Sequence, residues 1–267
     1  MIFEEHAMVA IHYADRGAAA RSGPVSRSLT QATFAALNAP SVLDTQPWRW
    51  RITEHRIGLH ADWARQLADL DPDGRLLLIS CGAALHHARV ALAADGVGVD
   101  VVRFPDPGDP SLLSELRYTG PADPAPGIGS LHRAIAVRRS DQRPFADRPV
   151  PDGELTLLRN AAEQTGAAAR TVHRDATYVV ITAPVAAAAS DWLTAGEALS
   201  AVLLTATAAG LATSPVTDLT AFTPREAEGG FPAAAVRVGV ADRFGPPRQA
   251  GPPAGPTASA PGNQESP

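Results

Sequence analysis

The sequence predicts an α+β fold built as two halves of similar size, and three observations carry that prediction. Strict alternation marks strands, most clearly in Trp48-Arg49-Trp50-Arg51-Ile52, where Trp and Ile face one way and the arginines the other. Alanine-rich segments with apolar residues at helical spacing mark helices, and they lack the regular βαβ interval of a doubly wound parallel sheet. A single proline-rich connector, Pro121-Ala122-Asp123-Pro124-Ala125-Pro126-Gly127, separates the halves. The expected organisation is an N-terminal tail over 1–27, a first half over 28–125, a second half over 126–248 and a Pro/Gly-rich tail over 249–267.

In chain order, Ser28 or Thr30 is expected to cap a helix running through Leu37. Trp48–Ile52 forms a strand with Ile57–His60 as its hairpin partner. A helix with Cys81 near its start runs to Gly96, followed by a strand over Val99–Phe104. Beyond the connector come helices over Gly129–Val137 and Gly153–Gln164, a strand at Tyr178–Thr182, a second alanine-rich helix closing on Gly210, and a strand at Ala235–Val240. Sliding the segment from Cys81 to Gly96 by 114 residues places Gly82, Ala84, Leu85, Ala94 and Gly96 on Gly196, Ala198, Leu199, Ala208 and Gly210, an internal similarity that favours two related halves.

Composition removes several classes of chemistry. With 45% hydrophobic residues and 19% charged ones the chain can bury a large core. A formal net charge of -5 offers no global positive field for a nucleic acid. All 23 basic residues are arginine, so a Schiff-base lysine, a pyridoxal phosphate anchor and a P-loop lysine are excluded. Cys81 has no partner for an internal disulfide, the N-terminus lacks a signal-peptide pattern and no run of residues is apolar enough to span a bilayer, so a cytoplasmic protein without membrane association is expected. Gly96-Val97-Gly98 and Gly127-Ile128-Gly129-Ser130 lack the third glycine of a dinucleotide fingerprint. His86 and His87 point about 100° apart on a helix, which favours packing over a shared metal, and no metal-ligand spacing occurs elsewhere.

Three segments carry chemical potential. Arg138-Arg139-Ser140-Asp141-Gln142-Arg143 gathers guanidiniums around a hydroxyl at a helix end; it can grip a phosphate through bidentate bonds, or simply complement the helix macrodipole. Ala39-Pro40-Ser41-Val42-Leu43-Asp44-Thr45-Gln46-Pro47-Trp48 is a polar loop pinned by two prolines, preorganised for a ligand. Asp191-Trp192-Leu193-Thr194-Ala195-Gly196-Glu197 and Gly210-Leu211-Ala212-Thr213-Ser214-Pro215 supply small residues that admit either a flat ring or a closely packed helix.

With Ser80-Cys81-Gly82-Ala83-Ala84-Leu85, these segments resemble, in order and spacing, the FMN-dependent nitroreductase-like superfamily and within it the two-halved actinobacterial Acg-type FMN-binding oxidoreductases. The resemblance runs from about Ser28 to Arg248 and implies an α+β nitroreductase-like sandwich whose halves look like a dimer fused into one chain. It implies FMN as cofactor, NAD(P)H as co-substrate and a small-molecule acceptor such as a nitroaromatic or quinone. The flavin carries the chemistry, so no catalytic side chain is implied. Arg138, Ser140 and Arg143, with Arg139 close by, would hold the phosphate. Ser41 and Gln46 would approach the ribityl chain or ring, Ser214 would lie by the flavin N5 edge, and Arg248 would add a phosphate contact. Only one complete site is expected, because the first half has no Arg-Arg-Ser run. A monomer is favoured, with a homodimer left open.

Two departures qualify the resemblance. Asp44 stands where the family pattern has asparagine, replacing a donor by an acceptor. The connection His173-Arg174-Asp175-Ala176-Thr177 is short where longer relatives insert a segment thought to cover the flavin. A non-catalytic flavin-binding protein, for storage or sequestration, or a degenerate relative retained for interactions, is the alternative reading.

Overall fold

The computed structural model describes residues 11–13, 23–216, 219–220, 222 and 230–241. Arg248 and the segment 249–267 lie outside the described residues.

In the first half, α1 (Pro24–Ala36) begins with proline in its first turn, where a missing N–H costs no helical bond, and buries Leu29, Ala32, Thr33 and Ala36. The expected caps are not used. The helix starts before Ser28, and the Thr30 hydroxyl donates to the Ser26 carbonyl at 2.8 Å, one turn back inside the helix. The strands β2 (Trp48–Ile52) and β3 (Arg56–Ala61) form the expected hairpin, with Trp48, Trp50 and Ile52 buried and both arginines exposed. Each of these buried tryptophans contributes about 2–3 kcal/mol from apolar area.

Next, α2 (Arg75–Ala94) opens earlier than the sequence suggests, so Cys81 sits mid-helix instead of at a helix start. The start is fixed by Asp71, whose carboxylate accepts the Leu77 N–H at 2.9 Å and satisfies an otherwise open donor. Cys81 is fully buried, donates to the Pro47 carbonyl at 3.2 Å, and has its thiol pKa pushed up by burial. By length and composition α2 could cross a membrane, but most of it is buried in protein. The half closes with β4 (Val97–Arg103) and β5 (Leu112–Pro121). A short strand β1 (Ile11–Tyr13), inside the segment read as a tail, pairs parallel with β2.

In the second half, α3 (Ile128–Val137) leads to α4 (Asp152–Glu163), β6 (Ala168–His173), β7 (Thr177–Ala183), α5 (Ala189–Ala208), β8 (Ala212–Val216) and β9 (Phe231–Gly239). The strands β6 and β7 meet through a three-residue turn closed by Arg174 N–H donating to Ala176 O at 2.9 Å.

The five-stranded sheet has order β1-β2-β3-β5-β4 and the four-stranded sheet β6-β7-β9-β8. Apart from β1, each half therefore runs helix-strand-strand-helix-strand-strand, from α1 and from α4, with the same strand order. Both sheets pack on one continuous core, at whose centre α2 and α5 cross. A Cβ on Gly82 would lie 2.0 Å from the Leu193 carbonyl, and one on Gly196 would lie 2.0 Å from the Ile79 carbonyl. The contact is reciprocal: Ile79 and Leu193 stand at the same separation as Gly82 and Gly196, so each helix presents the same surface to the other.

Glu197 on α5 is fully buried and accepts from two arginines of the first half, Arg89 on α2 and Arg103 on β4, the latter through Nε at 3.0 Å. This ion triad ties the second helix to the first half.

Candidate functional site

The Arg138–Arg143 run leaves the end of α3. Arg138 at the C-cap has φ -55 and ψ 130, which ends the helix and carries the chain in extended form to the rim of the second sheet. There Ser140 bridges Thr213 in parallel, and Asp141 N–H donates to the Thr213 carbonyl at 2.8 Å, bringing the run beside Ser214 on β8. Arg237 on β9 reinforces the turn, donating to the carbonyls of Asp141 at 3.2 Å and Arg143 at 2.8 Å while its guanidinium stacks 4.2 Å from the Phe145 ring centre.

The predicted cations diverge in role. Arg143 donates to the Asp141 carboxylate through Nε at 2.9 Å and Nη2 at 2.6 Å, and these bonds hold the Asp141 carboxyl below its usual range. Arg139 folds back on the carbonyls of Ala136 and Arg138, at 3.1 and 2.6 Å, as a helix-terminal cation does. Arg138 crosses to the first half, where its Nη2 lies 3.4 Å from the Asn38 carbonyl, one residue before the Ala-Pro-Ser loop. Its Nε is buried without a partner. Burial, followed by the Arg139 charge, draws its pKa below that of an ordinary guanidinium, and Asp44 opposes that shift. Arg138 and Asp44 therefore interact across the seam between the halves.

The loop that presents Asp44 is held internally. Ser41 Oγ accepts the Gln46 N–H at 3.0 Å, Gln46 Nε2 donates to the Leu37 carbonyl at 3.1 Å, and Ser80 Oγ accepts the Val42 N–H at 3.2 Å. Arg65 braces the far side through the Gln46 carbonyl at 3.1 Å. Leu43, Asp44 and Gln46 all have positive φ, of 45°, 55° and 43°, a left-handed geometry that costs about 1 kcal/mol or more per non-glycine residue and persists only where the surroundings impose it. Ser41 and Gln46 thus shape the loop, and the exposed Asp44 is what it offers.

Sequence reasoning missed a buried group within electrostatic range of Arg138. His87 is fully buried, and its Nδ1 lies 3.1 Å from the Ala83 carbonyl and 2.9 Å from Ser200 Oγ; Ser200 Oγ also lies 2.8 Å from His86 Nδ1. A carbonyl only accepts, so His87 carries its proton on Nδ1. Its Nε2 is then a bare acceptor, buried and without a partner. Burial lowers the pKa of both imidazoles to about 3, and the Arg138 charge acts on His87 in the same direction. An unpaired acceptor and the unpaired Arg138 Nε–H thus lie within electrostatic reach. The adjacent histidines were legible as packing residues, but nothing local in sequence connects them to Arg138.

No family model matches the chain. It is 40% identical over 149 residues, 56% of its own length, to "Putative NAD(P)H nitroreductase Rv3131" of Mycobacterium tuberculosis H37Rv, and covers 43% of that protein. It is also 40% identical over 135 residues to "Putative NAD(P)H nitroreductase acg" of the same organism, covering 40% of it. The chain is related to the Acg-type nitroreductase-like proteins. The chain spans less than half the length of those relatives. The crystal structure of a putative nitroreductase from Anabaena variabilis matches 82% of it, and 74% of that chain, with a TM-score of 0.53 at 12% identity, a likeness of fold.

Proposed function

We propose that the chain is an FMN-binding oxidoreductase of the nitroreductase type, with NAD(P)H as electron donor and a nitroaromatic, quinone or similar small molecule as acceptor. The observation that carries this reading is Arg138, which crosses the seam to within 3.4 Å of the Asn38 carbonyl and keeps a buried, unpaired Nε–H. That donor set fits an anionic phosphate better than it fits a plain helix end. Arg138 would bind the phosphate with help from the exposed Ser140 hydroxyl and from Arg139, whereas Arg143 would act indirectly by holding Asp141 and the turn. Ser41 and Gln46 would fix the loop facing the ribityl chain or ring, and Ser214 would face the flavin edge. When bound, FMN would supply the redox chemistry that links NAD(P)H to the acceptor, while Arg138 and Ser140 would hold its phosphate.

The repeated strand order and the reciprocal glycine crossing support the fused-dimer reading of the two halves. The tight β6–β7 turn supports a site without a cover over that edge, which favours turnover over sequestration. Arg138→Ala should weaken FMN more than tenfold, read by titrating flavin fluorescence, and unchanged affinity would return the arginine run to helix capping. Anaerobic mixing of the FMN-loaded protein with NADPH should bleach the flavin; binding without bleaching would support storage instead, and no uptake of FMN would defeat both readings.

A further inference from the structure

A cavity of about 420 Å³ opens between the halves, lined from α2, β4, the connector, α3, α4 and α5 and sharing no residue with the Arg138 site, a size within the roughly 300–1,000 Å³ of ordinary small-molecule sites. Its place in the fold mirrors the Arg138 site. Val97–Val99 open β4 as Ala212–Ser214 open β8, and Gln164 and Thr165 follow α4 as Leu37 and Asn38 follow α1. The phosphate-gripping run has no counterpart among the described residues here, so the lining differs in chemistry. His86 contributes a donor: with the His87 proton on Nδ1, the Ser200 hydroxyl is free to donate to His86 Nδ1, which leaves the His86 proton on Nε2, the nitrogen that bonds to none of the described residues. Arg89 contributes charge. It shares the buried Glu197 with Arg103, so two guanidiniums face one carboxylate and one positive charge remains in the cluster. The exposed Gln164 adds a carboxamide, Asp123 sits on the exposed connector as the opposing charge, and Val90, Val97, Ile128 and Leu131 supply apolar wall.

We infer that this cavity is a second binding site, distinct from the Arg138 site, for a flat aromatic monocarboxylate, whose ring would lie on the apolar wall and whose oxygens would accept from Arg89, His86 and Gln164. The site stands whether or not FMN occupies the first one. The probe is 4-fluorobenzoate, titrated against the full chain and followed by its fluorine NMR line, with flavin absorbance recorded on the same samples. Saturable binding in the range of about 0.1–1 mM is expected. The uncharged 4-fluorobenzamide should bind at least tenfold more weakly. Ala161→Trp, which fills the cavity from the half-buried face of α4, should remove binding, while Gln164→Leu, at an exposed helix end and no threat to folding, should weaken it severalfold. Neither variant should alter flavin uptake. Absence of saturation up to about 10 mM, equal binding of the amide, or binding that survives both substitutions would overturn the inference. Flavin uptake without probe binding would defeat this site alone, and probe binding without flavin uptake would defeat only the proposal of the previous section.

Discussion

Two side chains decide how the seam treats an anion. Asp44 places a negative charge within electrostatic range of the same guanidinium that a phosphate would need. Asparagine tolerates the left-handed backbone at this position as well as aspartate does, so Asp44→Asn changes charge and donor capacity without reshaping the loop. It should tighten FMN by about ten- to a hundredfold, the equivalent of about 1–3 kcal/mol, measured by fluorescence titration; weaker binding would mean that the carboxylate has a role of its own. His87 makes a separate demand. Its imidazole stays neutral in the fold down to about pH 3, whereas the unfolded chain protonates it near the ordinary histidine value of 6.5. The unfolded state therefore binds the extra proton between those limits, and stability contributed by the neutral ring is present above about pH 6.5 and lost as pH falls, at up to about 1.4 kcal/mol per pH unit. His86 contributes in the same direction, so urea unfolding near neutral pH and near pH 5 should show the sum of the two slopes, and His87→Asn should reduce it by about half. The density of cations at 138–143 was legible in sequence. The capture of Arg143 by Asp141 was not, because those side chains meet only after the chain has left the helix.

Helices and strands were legible where burial falls on one face. The hairpin of β2 and β3 follows from alternation alone. Besides β1, which lies in the segment read as a tail, three strands escaped for identifiable reasons. β5 carries charged residues among its apolar ones and pairs on both sides, β6 is built from small and polar residues, and β8 contains Pro215, which an edge strand accommodates but which reads as a breaker. The central helices were visible as alanine-rich segments, and their glycines as shared features, but the reason for the glycines appears only at the crossing. Gly82→Ala puts a methyl group against a backbone carbonyl that can retreat only if the whole of α5 moves. The expected loss is at least about 3 kcal/mol of unfolding free energy, with Gly196→Ala equivalent by the reciprocity of the contact; denaturant titration measures both, and a loss under about 1 kcal/mol for either would show that the helices can separate freely.

At the scale of the molecule the connector divides the chain into two halves, and the packing joins them. The core runs without interruption from Leu29 to Val238, and Glu197 draws on arginines from the other half. Unfolding should therefore be a single transition, with tryptophan fluorescence, dominated by Trp48 and Trp50 of the first half, coinciding with helical circular dichroism; two separated midpoints would contradict it. Long-range pairing of this kind was beyond the sequence because Glu197 reads locally as one acid in an apolar helix. The backbone bridge from Ser140 to Thr213 has a bearing on how copies behave when crowded together. β8 is the last strand of its sheet, and an outermost ladder with free amides invites a neighbouring molecule to extend it into a fibre. The stretch that delivers Arg138 to the seam also occupies that ladder, so a change that loosens it would be expected to promote aggregation as well as to disturb the anion grip.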